Sequence, residues 1–173
     1  MSVNSVFACE QYASHQKQKL DIVKKLVTSG AEINLTRHHY PIIMLPLHLA
    51  IYCGNYDITE FLVMSGANVN AEVHIATFNN TSCKFSALNL AISKMDIRIV
   101  KLLLKNNAII NEGSKEVYSS LHLAARTNRV DILLILEKYG AKFKVIKNQE
   151  YISEFKAAMR QYNVDILNLF SRN

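Results

Sequence analysis

Pro46-Leu47-His48-Leu49-Ala50 returns as Ser120-Leu121-His122-Leu123-Ala124 and, altered, as Ala87-Leu88-Asn89-Leu90-Ala91. Each copy is followed by an apolar run of helical period: Ile58 to Val63, Ile132 to Leu136 and Ile99 to Leu104, respectively. A turn signal closes each run: Ser65-Gly66-Ala67-Asn68-Val69-Asn70, Tyr139-Gly140-Ala141-Lys142 and Asn106-Asn107-Ala108-Ile109-Ile110-Asn111. Upstream, Ile22 to Val27 followed by Ser29-Gly30-Ala31-Glu32-Ile33-Asn34 is the second half of the same unit. Downstream, Ala157-Ala158 and then Val164 to Phe170 repeat it once more. Gly30 to Gly66 spans 36 positions, Gly66 to Asn107 41, Asn107 to Gly140 33, and Asp131 to Asp165 34. Self-similarity near 33 residues, with helix pattern and turn chemistry agreeing each time, marks an array of stacked units.

The residues explain the unit. Pro46 suits the first turn of a helix, where its missing N–H is not needed. Leu47, Leu49 and Ala50 face a neighbouring unit, the small Ala permitting close approach, and Ile58, Phe61 and Leu62 form the apolar stripe of a second helix. Gly66 falls just past that helix, where a left-handed conformation is needed, and Gly30 and Gly140 share its place. Asn107 replaces Gly in the third copy, and Asn is the next best residue there. One such helix pair cannot bury both of its sides, so stability must come from stacking.

These motifs and this period resemble the ankyrin repeat over nearly the whole chain. The resemblance implies an all-α fold: a solenoid of about five stacked helix-turn-helix units with inter-repeat hairpin loops. It makes 1–173 a single domain with repeats at approximately 5–37, 38–73, 74–114, 115–147 and 148–173. The two long offsets imply insertions of about three and eight residues within 35–45 and 71–85, where the family carries its hairpins. The ends are degenerate. By register Glu10 to Gln18 is the first helix of repeat one, and Glu154-Phe155-Lys156 stands where repeat five should carry its signature. Terminal repeats must present one face to water, so end-capping is the expectation over truncation.

Composition limits what such an array can do. The chain has 173 residues, half of them hydrophobic and a fifth charged, enough to bury a core. No stretch approaches the ~20 apolar residues of a membrane span, and Met1 to His15 shows no secretory pattern. Cys9, Cys53 and Cys83 have neither disulfide nor zinc-ligand spacing and read as reduced thiols. The expected location is therefore cytoplasmic, nuclear or both. A net charge of +6 is spread along the chain, with Lys142, Lys144 and Lys147 the densest cluster.

Neither a catalytic site nor a cofactor or metal site is expected. His48 and His122 hold the signature position, where the resemblance implies that the imidazole hydrogen-bonds backbone across adjacent turns. His38-His39 have no acid or thiol at ligand spacing, and His15 and His74 are isolated. Ser119 and Ser120 beside His122 lack a glycine-rich elbow and an acid to orient the histidine, and Ser119 reads as a helix cap. No Gly-Lys-Ser/Thr phosphate loop exists.

The resemblance implies instead that partners bind the concave face of the first helices and the hairpin tips. By register the exposed concave pairs are Gln16 and Lys17, Tyr52 and Cys53, Ser93 and Lys94, Arg126 and Thr127, and Arg160 and Gln161. Lys17, Lys94, Arg126 and Arg160 then form a basic stripe beside Tyr52, an aromatic of the kind found in interface hot spots. The tips are expected at Pro41, Ile42 and Met44, at Ser82, Cys83 and Phe85, at Lys115, Glu116 and Tyr118, and at Gln149, Glu150 and Ile152. Their apolar members either form a contact patch or are folded under. The expected function is a monomeric, non-catalytic module binding another protein, with an acidic surface, as an inhibitor or scaffold in the manner of the Rel/NF-κB inhibitors. The alternatives are nucleic-acid or anionic-membrane binding through the stripe, or a ubiquitin-ligase adaptor if the C-terminus continues.

Overall fold

A computed structural model describes residues 3–34, 37–39, 42–76, 82–110, 120–127 and 129–141. Among the described residues, seven helices and four strands follow in order: α1 (Val3–Thr28), β1 (Arg37–His39), β2 (Ile42–Met44), α2 (Pro46–Tyr52), α3 (Tyr56–Met64), β3 (Glu72–Ala76), β4 (Ser82–Ser86), α4 (Ala87–Ser93), α5 (Ile97–Lys105), α6 (Ser120–Arg126) and α7 (Val130–Lys138). The repeat signature opens α2, α4 and α6, and the apolar runs form α3, α5 and α7. First helices pack on first helices, α2 on α4 and α4 on α6, and second helices likewise, α3 on α5 and α5 on α7. The all-α solenoid read from the sequence is the architecture observed.

Local chemistry sets each helix. Asn55 caps α3 by accepting from the Ile58 N–H, and Asp96 caps α5 by accepting from Arg98 and Ile99. Ser86 caps α4 through the Asn89 N–H. Between first and second helix the chain reverses at Gly54, φ +66°, and after the second at Gly66, φ +94°. The third repeat puts Met95 (φ +56°) and Asn107 (φ +62°) at the same two places. Asn107 meets expectation; Met95 is a side chain held in the left-handed region, where L-residues pay roughly 1–2 kcal/mol.

One continuous apolar core runs through the stack. Leu47, Ile51, Leu88, Ile92, Ile99, Leu103, Leu121, Ile132 and Leu136 are sealed from water. Polar cross-ties join neighbouring repeats outside it. Asn34 donates to the Gly66 carbonyl (3.2 Å) and accepts from the Asn68 N–H (2.8 Å). Asn70 repeats that clasp one unit on, donating to the Asn107 carbonyl (3.1 Å) and accepting from the Ile109 N–H (2.9 Å). Inside, Ser120 donates to Asn89 Oδ1 at 2.8 Å. Its hydroxyl is thus held in a buried bond between repeats; Ser119 and the His122 side chain lie outside the described residues.

Two features depart from the sequence reading. Residues 10–18 do not form a separate first helix: α1 runs unbroken for 26 residues through the place where repeat one should turn. The cause is local. Gln18 stands where Gly54 reverses the chain and Lys19 where Asn55 caps, so nothing ends one helix or starts another. The second departure concerns the enlarged loops, which form a small antiparallel sheet of order β1-β2-β3-β4. Arg37 pairs with Met44 and His39 with Ile42; Val73 pairs with Phe85 and Ala76 with Ser82; Ile42 opposite Ile75 joins the two hairpins. The inserted residues lengthen these ladders, which pair Arg37–His39 with Ile42–Met44 and Glu72–Ala76 with Ser82–Ser86.

Candidate functional site

The first helices bring part of the expected stripe together. Tyr52 closes α2 and is half-exposed, and the Lys94 ammonium, one repeat on, lies 3.7 Å above the centre of its ring. At that distance a cation and the face of an aromatic attract electrostatically. The lysine is therefore positioned rather than freely solvated, and the pair offers a flat aromatic edge and a charge from adjacent repeats. Exposed Cys53 follows Tyr52. Arg126, at the same register, closes α6; its side chain and the whole of Arg160 lie outside what is described. Lys17 is displaced from the stripe. It rides on α1 next to Gln16, whose Oε1 accepts from Asn55 Nδ2 at 2.6 Å, so it sits by the α2–α3 turn and not on a first helix.

Of the expected tip residues, Met44 and Phe85 lie away from the hairpin turns, and Pro41 lies outside the described residues. Met44 and Phe85 share one register position two residues ahead of α2 and α4, at the helix end of each ladder, and both are half-buried. Ile42 flanks the first turn; Ser82 flanks the second and Cys83 follows it. Tyr118, Lys115, Glu116 and the residues from Gln149 to Ile152 lie outside the described residues.

His48 shows what the signature histidine does. It is completely buried, and neither ring nitrogen completes a hydrogen bond. The backbone of Phe85 and Ala71 faces the ring and favours its protonated form, but desolvation outweighs both and lowers its pKa from 6.5 to about 4. The neutral imidazole thus fills the joint between α2 and the base of the next hairpin.

Other inter-repeat ties were not visible in the sequence. Arg129, at the register of Asn55 and Asp96, donates to the Met95 carbonyl at 2.9 Å and forks onto Asp131 at 2.8 and 2.6 Å. That guanidinium holds the Asp131 carboxyl below its ordinary pKa. Arg98 lies 5.3 Å from the Tyr56 ring centre, again bridging repeats two and three. Among the described residues no three of His, Cys, Asp or Glu cluster to hold a metal, and no helix is long and apolar enough to cross a membrane.

Stacked helix pairs, left-handed turns at fixed register and hairpins between repeats define a class, and comparison with known sequences agrees. A family model for ankyrin repeats in three copies matches residues 73–147, and one for a single ankyrin repeat matches 44–72. The chain belongs to the ankyrin-repeat family. Among its relatives, the ankyrin repeat protein FPV031 of Fowlpox virus is 28% identical over 159 residues, covering 89% of this chain and 44% of the relative. The nuclear factor NF-kappa-B p105 subunit of Gallus gallus is 26% identical over 152 residues, 84% of this chain and 15% of that protein. FPV230, also of Fowlpox virus, is 26% identical over 161 residues, covering 78% of this chain and 84% of the relative. The chain thus spans less than half the length of the first two. Ankyrin repeats are generally protein-interaction modules.

Proposed function

We propose that this chain is a non-catalytic binding module that grips a protein with an acidic surface across its first helices, serving as an inhibitor or scaffold. The Tyr52–Lys94 pair carries the reading: a half-exposed aromatic and a positioned cation, from two successive repeats, on the face that ankyrin proteins use. Such a pair is ready to receive a carboxylate and an apolar side chain together, without first ordering a flexible lysine. The p105 likeness supports a Rel/NF-κB-directed partner as the first to try, with the cytoplasm or nucleus as the place of action.

The test uses the full chain as immobilised bait and compares it with Lys94→Glu/Arg126→Glu. Reversing two charges on a complementary interface is expected to weaken the partner by on the order of 2 kcal/mol or more, with the helical circular dichroism unchanged. A partner retained equally by both forms refutes this face. Purified Rel-homology dimers, titrated directly, decide the narrower proposal.

A further inference from the structure

Repeat one is missing the helix that its own side chains expect. Ile22, Leu26 and Leu49 are 58, 56 and 53% exposed. Their counterparts further along the array are covered: Leu26 corresponds to Leu62, Leu103 and Leu136, and Leu49 to Leu90 and Leu123, all below a tenth exposed. Ile22 corresponds to Ile58, which is half-buried, and to Ile99 and Ile132, which are sealed. One cause accounts for all three. In later repeats a first helix lies against the second helix of its own repeat and beside the first helix of the next. In repeat one the residues that register assigns to that place, 10–16, continue α1 instead. Meanwhile Val23 packs against the core from the adjoining face of α1, so α1 is seated correctly on α3. Among the described residues, what remains open is an apolar groove at the register of a first helix, with Ile22 and Leu26 of α1 on one side and Leu49 of α2 on the other.

We propose that this groove docks an amphipathic helix with acidic flanks, supplied by a partner protein. The apolar walls ask for a helix because a helix is what the same positions receive in every later repeat. Charge selects its chemistry. From residue 15 to 28, α1 carries Lys17, Lys19, Lys24 and Lys25 against Asp21 alone. Lys19 and Lys25, three positions either side of Ile22, border the apolar stripe on the helix surface. Glutamates flanking the incoming apolar face would meet them. A second copy of this chain fits poorly, since two molecules of charge +6 would bring the same lysines together. The chain's own residues 10–16 are held away by the lack of a turn at Gln18 and of a cap at Lys19.

The experiment titrates the isotope-labelled full chain with a synthetic helix of about 14 residues, covalently constrained because so short a helix is marginal alone. It carries leucines along one face and glutamates on both flanks; a twin carries lysines in place of the glutamates. The expected result is amide shifts centred on residues 22–26 and 49–52, and binding by the glutamate peptide at least tenfold tighter than by its twin. Leu26→Asp/Leu49→Asp, whose sites are solvent-exposed, should keep its helicity and lose at least tenfold in affinity. Equal binding of both peptides, shifts elsewhere, or an undiminished double variant would overturn the proposal. So would a dimer in sedimentation that the double variant dissolves, which gives the groove to a second copy. Nuclear Overhauser contacts between residues 5–15 and Leu49 would give it to the chain itself.

Discussion

Lowering the pH from 7 to 5 should strip about 2 kcal/mol from the folding stability through His48 alone. The folded ring holds its pKa near 4 because it is sealed from water, whereas the unfolded chain returns it to 6.5. Between those values the unfolded state binds a proton that the folded state refuses, so stability falls as pH drops. The contribution is fully present above the unfolded pKa, shrinks through the window from about 6.5 to about 4, and changes no further below it. The whole shift is worth about 3 kcal/mol, of which some 2 is spent by pH 5. Out of a typical 5–15 kcal/mol of total stability, that is a visible acid lability.

The assay is urea unfolding followed by circular dichroism at pH 7 and pH 5, on wild type and His48→Asn. Asparagine is the residue that repeat three already carries at this register, as Asn89, so the site has a precedent for it. The wild type should lose about 2 kcal/mol more between the two pH values than the variant does. Taking the difference removes the background from the general rise in positive charge and from His122, which both proteins share. Should the variant fold poorly, the His48 ring can be titrated by NMR in the wild type. Parallel pH slopes in the two proteins, or a ring that titrates near 6.5 in the folded state, would refute the desolvation argument.

Four further outcomes follow from the geometry. Met95→Gly should raise stability by up to about 1 kcal/mol in the same unfolding assay, relief of left-handed strain exceeding glycine's entropic cost; the reverse experiment, Gly66→Ala, should destabilise although nothing lies within 4 Å of the added carbon. Asn70→Ala removes both prongs of the clasp between repeats two and three and should cost about 1–2 kcal/mol, read as a lowered urea midpoint, with the Ile109 amide losing hydrogen-exchange protection first. Leu103→Ala, at a side chain with no exposure, should cost about 2–5 kcal/mol, and the loss should be felt in repeats two to four together because each unit is held by its neighbours.

How much of this was written in the chain differs from element to element. The helix pairs of repeats two to four were legible because three independent signals coincide there: the Leu-His/Asn-Leu-Ala motif, the apolar stripe, and Gly or Asn at the closing turn. Asn107 in a left-handed conformation was legible from residue type alone. Met95 was not, since no propensity favours methionine there and only the fixed geometry of the stack imposes it. The unbroken α1 is legible at Gln18 and Lys19, which neither reverse the chain nor cap a helix, but not in the repeat register, which places a turn there. Of the candidate surface, spacing sets Tyr52 and Lys94 at one register of successive first helices, yet their stacking depends on the rotation of α4 against α2, which one-dimensional spacing does not encode. The place of Met44 and Phe85 at the helix ends of their ladders is not legible in the sequence, because counting residues in an insertion does not say how many join the ladder.

Repeat one shows how a quasi-linear architecture makes a binding site by omission. In a solenoid each helix is covered by its immediate neighbours alone, so losing one helix exposes a matched pair of walls and leaves the remaining stack intact. Here Gln18 and Lys19 stand at the turn register where repeat two carries Gly54 and Asn55, while Val23 keeps the second helix seated on the core. The exposed leucines and isoleucine are then not a defect of a worn terminal repeat. Among the described residues nothing covers Ile22, Leu26 and Leu49, and a cluster of exposed apolar side chains marks an interaction surface. Retaining them beside Lys19 and Lys25 is what a surface shaped to receive a helix requires.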